Sequence, residues 1–208
     1  MARLHQACAV LAVVAGGVLM ATGWTLLDSR PARDEGALPA ALRTEGPDRA
    51  APPPSPPVAL AVSGPHRLHV TVAAVAATRE GGLDLPQDGD SAGWWALGAA
   101  PGAPRGTVLL AGHLDTPEGP GSFEALHELG VGARVQVNSA DGRVHAYRVT
   151  ARRTYPRTQL PDDLFSSAGP ARLALLTCAG DYDPEAGQYD ENLVLYAAPA
   201  PATGSAPP

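Results

Sequence analysis

The sequence predicts a mainly β domain with short helices, preceded by an N-terminal transmembrane helix and a Pro-rich linker. Three observations carry this reading. Residues Ala7 to Leu27 hold no charge. Pro52-Pro53-Pro54-Ser55-Pro56-Pro57 lies in a stretch without periodicity. From His66 to Ala198, short apolar runs alternate with turn signals and few helical patterns. The organisation that follows is an anchor over 1–27, a disordered linker over 28–65, a folded domain over 66–198 and a low-complexity tail over 199–208.

At about 1.5 Å per residue, the uncharged run covers roughly the 30 Å hydrocarbon core of a bilayer. Arg3 and the α-amine precede it and mixed charges follow, a bias that leaves the N-terminus in the cytoplasm. The expected location is the cell membrane, single-pass, with the folded domain extracytoplasmic. A cleaved signal peptide is the competing reading, although the run is long for one and no small-x-small site directly follows. The linker is rich in Ala, Pro and charge, cannot form a core, and favours extended polyproline II.

Hydrophobic residues make up 45% of the chain and charged residues 17%, a globular balance. The net charge of −6 and the lack of a basic cluster argue against nucleic acid as a partner. Every basic residue is Arg, so the chain has no lysine amine. Cys8 falls in the anchor, which leaves Cys178 as the single thiol of the folded domain. Such a cysteine is either a buried packing residue or a reactive thiol.

Within the domain, Arg67 to Ala76 alternates in places and reads as a strand. Thr107 to Ala111 is an apolar run that stops at Gly112-His113. Phe123 to Leu129 reads as one or two helical turns with Phe123, Leu126 and His127 on one face. Arg134 to Asn138 and Arg143 to Thr150 flank Asp141-Gly142, a hairpin signal because that pair tolerates positive φ. Leu173 to Thr177 is apolar and ends at Cys178, and Leu193 to Ala197 is the last strand. Many short strands predict a closed barrel or a sandwich.

Cys178 and His113 both directly follow apolar strands, where a sheet holds a side chain yet leaves it open to a cleft. A thiol attacks a carbonyl as thiolate and needs a neighbouring base or cation, most often His. Taken alone, a cysteine at a strand end reads as core and a single histidine as structural. Among the six histidines, only His113 combines a preceding strand, a flanking Gly and a Gly/Pro-rich loop after it. Asp115 either orients the imidazole or caps that loop. A papain-like hydrolase is excluded by order, since it places Cys at a helix start ahead of His. His113 and Asp115 do not make a three-ligand site, and Asp181, Asp183 and Glu185 read as solvated loop carboxylates. No metal or cofactor is expected.

Five segments together resemble the sortase family of cysteine transpeptidases, most closely actinobacterial class F. They are Gly93-Trp94-Trp95 with Pro101-Gly102, Val108 to Thr116, Phe123-Glu124-Ala125-Leu126, Leu175-Leu176-Thr177-Cys178-Ala179-Gly180, and Tyr189-Asp190-Glu191-Asn192 leading into Leu193 to Ala197. They occur in the family's order over roughly the last two-thirds of the chain. The resemblance implies an eight-stranded sortase-type β-barrel. It implies cleavage of a Leu-Pro-x-Thr-Gly-type sorting signal on a surface protein, through an acyl-thioester on Cys178. His113 then serves as acid and base, and the acceptor is an amine of a cell-wall precursor or of another surface protein. The segment Tyr155 to Gly169 matches the family's substrate-recognising loop, with Pro161, Leu164 and Phe165 as an apolar cluster. Thr177, next to the cysteine, joins them as a substrate contact. Ordinary loop packing is the alternative for that cluster.

One departure bears on activity. The family carries an Arg on its last strands that stabilises the oxyanion, yet no Arg or His follows Arg172, and Asp190 aligns with that position. A carboxylate there would repel an oxyanion and oppose thiolate formation. Three explanations are open. Another Arg enters from the recognition loop (Arg152, Arg153 or Arg157); Asn192 or backbone amides donate instead; or the protein is a catalytically impaired peptide-binding module on the same fold.

Overall fold

The computed structural model describes residues 54–79 and 82–201. The anchor of 1–27, the linker before Pro54 and the tail beyond Pro201 lie outside these residues. Among the described residues, no helix is long and apolar enough to cross a membrane.

Eight strands close into one barrel. They are β1 (Pro57–Val62), β2 (Leu68–Val75), β3 (Ser91–Trp95), β4 (Thr107–Gly112), β7 (Arg134–Ser139), β8 (Val144–Pro156), β9 (Arg172–Asp183) and β10 (Gln188–Pro199). A small ribbon of β5 (Asp115–Thr116) and β6 (Gly119–Pro120) follows β4. Around the barrel the order is β1-β2-β3-β4-β9-β10-β8-β7, antiparallel except for the parallel pairs β2–β3 and β4–β9. Closure removes free sheet edges. The Asp141-Gly142 turn joins β7 to β8, with Gly142 at φ 81° and the Arg143 amide donating to the Asp141 carboxylate.

The described structure departs from the sequence reading at the linker. Residues 57–62, read there as the end of a disordered segment, form β1, which pairs with β2 and β7 and completes the barrel. Leu60 and Val62 are buried, so the run Val58-Ala59-Leu60-Ala61-Val62 supplies an inward face. The preceding prolines hid it, and Pro57 is tolerated as the first residue of a strand. The turn over Phe123 to Leu129 is a 3₁₀ helix at Ser122–His127, too short for an amphipathic α-helix.

Two apolar clusters result. Val108 and Leu110 of β4 point into the barrel with Leu173 and Leu175 of β9. Leu109 and Ala111 point outward with Ala174, Leu176 and Val194. Every residue of β4 is therefore buried, which is why its sequence is a continuous apolar run instead of an alternation. The β8–β9 loop covers the outer cluster through a second 3₁₀ turn, Asp162–Phe165. Leu164 is its fully buried anchor. The Trp95 indole donates to the Phe165 carbonyl at 3.2 Å. Arg172 pairs with Asp163 at 2.9 Å and donates to Thr107 Oγ1 at 2.8 Å.

Because Leu164 holds this loop by apolar burial, Leu164→Ala should lower unfolding free energy by about 2–5 kcal/mol in urea denaturation. A loss under about 1 kcal/mol would show that the loop is not anchored there.

Candidate active site

The parallel pairing of β4 with β9 sets the geometry. Thr107 pairs with Arg172 and the register runs unbroken to Ala111 with Leu176. One step on, Thr177 Oγ1 donates to the Gly112 carbonyl at 2.9 Å, across the same separation of 65 residues. Carried one residue further, the same offset sets His113 level with Cys178. Residues level on adjacent strands share a face, here the outward face of Leu109, Ala111, Ala174 and Leu176. On the other side of Cys178, β10 pairs Asn192 with it directly. His113 and Cys178 are both half-buried and line one cavity of about 680 Å³ with Asp115, Arg157, Tyr189 and Asn192.

The His113 ring is oriented by the main chain. Its Nε2 lies 2.9 Å from the Pro86 carbonyl, which only accepts, so Nε2 carries the hydrogen and Nδ1 is free for proton traffic. The Asp115 carboxylate instead accepts a hydrogen bond from the Tyr189 hydroxyl. That bond, first among the causes, pushes the Tyr189 phenol up to about 12, so it stays protonated and keeps donating until pH rises through that value. Orientation of the imidazole thus falls to Pro86, which the sequence did not reveal because a backbone carbonyl has no residue-type signature.

Burial pushes the Cys178 thiol above its ordinary range. Asp115 pushes it further in the same direction, and Arg157 pulls it down. Of the three arginines named from sequence, only Arg157 faces the thiol. It lines the cavities on both sides of Cys178. Arg152 donates to the carbonyls of His127 and Leu129 at 2.9 and 2.6 Å, and Arg153 donates to the Arg152 carbonyl.

Asp190 does not line the cavities that Cys178 lines. A register shift between Tyr189 and Glu191 marks a bulge in β10. There the Asp190 carboxylate accepts the Asp181 amide at 2.8 Å, close against Gly180, which holds φ 81°. Its carbonyl accepts the Arg157 amide at 2.8 Å. The expected carboxylate beside the thiol is thus a bulge residue that also tethers the start of the β8–β9 loop. The Asn192 amide donates to the Arg157 carbonyl at 3.4 Å.

A second groove of about 450 Å³ ends at Cys178 and Arg157. Leu83, Leu85, Leu160, Phe165 and Leu176 supply its apolar surface, and Thr177 also borders it. Of the apolar loop residues named from sequence, Phe165 reaches this groove. Leu164 packs beneath it and Pro161 precedes the 3₁₀ turn without lining it. Leu83, Leu85 and Leu160 were missed, although the alternation Leu83-Asp84-Leu85 is a readable signal.

A family model described as "Sortase domain" matches residues 66–200. No curated protein matches the sequence. Among solved structures, sortase C1 of Streptococcus agalactiae aligns with a TM-score of 0.56 at 19% identity, over 72% of this chain and 70% of that one. Sortase A of Listeria monocytogenes aligns at 0.52 and 16% identity, over 70% and 88%. Sortase A of Corynebacterium diphtheriae aligns at 0.52 and 18%, over 71% and 62%. At these identities the structural likeness speaks for the fold.

The two charges that oppose each other at the thiol are separable. Asp115→Asn should move the pH profile of Cys178 alkylation by iodoacetamide to lower pH, and Arg157→Gln should move it higher. Unmoved or inverted profiles would remove both side chains from the thiol's electrostatics.

Proposed function

The chain belongs to the sortase family, and from that premise we propose that it is a cysteine transpeptidase. Its substrate is a surface protein bearing a Leu-Pro-x-Thr-Gly-type sorting signal, and its acceptor is an amine of a cell-wall precursor or a second surface protein. Within the family, the resemblance of its motifs supports class F. The uncharged run Ala7 to Leu27 supports a single-pass anchor with the domain outside the cell.

The observation that carries this reading is the convergence at Cys178: a thiol that shares one cavity with an oriented imidazole and a guanidinium and also lines an apolar groove. The Leu-Pro part of the signal fits the groove of Leu83, Leu85, Leu160 and Phe165. The thiol proton passes to His113 Nδ1, and the thiolate sulfur attacks the Thr carbonyl carbon and forms the C–S bond. The oxyanion that develops faces Arg157, the role the family gives to the Arg that Asp190 replaces here. Collapse breaks the C–N bond to Gly, and His113 gives its proton to the departing amine. The acceptor nitrogen then attacks the thioester, His113 takes the proton it releases, the C–S bond breaks, and Cys178 leaves as the thiolate. The cavity with Asp115 and Tyr189 on the far side of Cys178 has room for the leaving and entering amines.

One observation favours the other reading, a binding module with little turnover: burial and Asp115 both hold the thiol protonated. Peptide capture separates the two. With a sorting-signal peptide, mass spectrometry should show an acyl adduct that Cys178→Ala abolishes, and Arg157→Ala should slow its formation by about 10²–10³. Binding that survives Cys178→Ala, with no adduct on the unaltered protein, would identify the binding module instead.

A further inference from the structure

We propose that His127 is a positioning residue that holds the nucleophile in register with His113. This rests on Cys178 being the nucleophile of the reading above. The β4–β9 ladder ends at Ala111 and Leu176, so no β4 residue pairs with Cys178. β9 continues along β10 to Asp183, but on the side that β4 has left the Cys178 main chain has no ladder partner, and a buried carbonyl without one is costly. His127 takes the missing place: its Nε2 donates to the Cys178 carbonyl at 3.0 Å. The same 3₁₀ turn, Ser122–His127, also holds His113, the first residue after β4. The Phe123 amide donates to the His113 carbonyl at 3.1 Å, and Gly121 packs so close to that carbonyl that a Cβ there would collide with it.

One short element therefore grips both reacting residues by their backbones. It is itself fixed at both faces. Phe123 and Leu126 are fully buried in the barrel core. Arg152 donates to the His127 and Leu129 carbonyls at the end of the turn, where helical carbonyls lack partners. Arg152 thus braces the turn that positions Cys178 and does not face the thiol itself.

The test uses full-length protein carrying Cys8→Ser and reads Cys178 alkylation by iodoacetamide at neutral pH, which needs no peptide. His127→Leu should slow alkylation about fivefold or more, because a thiol released from its imidazole is less ionised. His127→Gln, whose amide keeps a donor at the same reach, should restore the rate to within about twofold. In a His113→Ala background, His127→Leu should add nothing, since both changes remove one pairing. An unchanged rate in His127→Leu, failure of Gln to restore it, or equal slowing without His113 would each overturn the proposal. If His127→Leu does not fold, His127→Asn, whose shorter amide falls short of the carbonyl, takes its place with the same expectations. A protein that shows this alkylation pattern yet never captures a sorting peptide would overturn the transpeptidase reading alone.

Discussion

Everything at this site depends on a parallel strand pair in which β4 ends at Gly112 while β9 runs on through Cys178 to Asp183 along β10. A parallel pair keeps a fixed offset along its length, so the register of β4 with β9 determines which residues emerge together where pairing ends. Thr177 bonded to the Gly112 carbonyl extends that register by one residue beyond the ladder. A slip of one residue would turn Cys178 towards the barrel interior, where its neighbours in the chain, Thr177 and Ala179, already lie buried. The continuous burial of β4 opposes such a slip, since both of its faces are matched to a core.

The electrostatics around the sulfur are a balance of small opposing effects. Burial and Asp115 favour the thiol, and Arg157 favours the thiolate. Asp115 and Arg157 are both exposed, so solvent screens each. Arg157 owes its place to the bulge at Asp190, whose carbonyl receives the Arg157 amide. The main chain of the residue that looks damaging in the sequence therefore holds the backbone of Arg157. The β8–β9 loop carries Arg157, Leu160 and Phe165, so the guanidinium and part of the apolar groove come from one segment.

Much of this was legible in the sequence because strand ends leave a plain signature. The apolar runs before Gly112-His113 and before Cys178 marked both residues, and Asp141-Gly142 marked its hairpin. Arg157 was on a short roster, but choosing it over Arg152 and Arg153 needs the β10 bulge, which depends on a glycine conformation at Gly180 and not on periodicity. β1 was hidden behind its prolines, and Leu164 read as a contact when its burial makes it a foundation. The Pro86 carbonyl was out of reach, since main-chain acceptors carry no sequence signal. His127 was noted only as part of a turn, because its partner is a backbone atom 51 residues away.

The most direct test of the central geometry is covalent. In a Cys8→Ser background, His113→Cys places a second thiol where the β4 register sets it level with Cys178; strands about 4.8 Å apart meet the Cα separation a disulfide requires. Mild oxidation should form an intramolecular disulfide, seen as loss of two hydrogens in the intact mass and protection of both thiols from alkylation. Two free thiols that label independently after oxidation would mean that positions 113 and 178 do not meet, and the account of the site would be wrong.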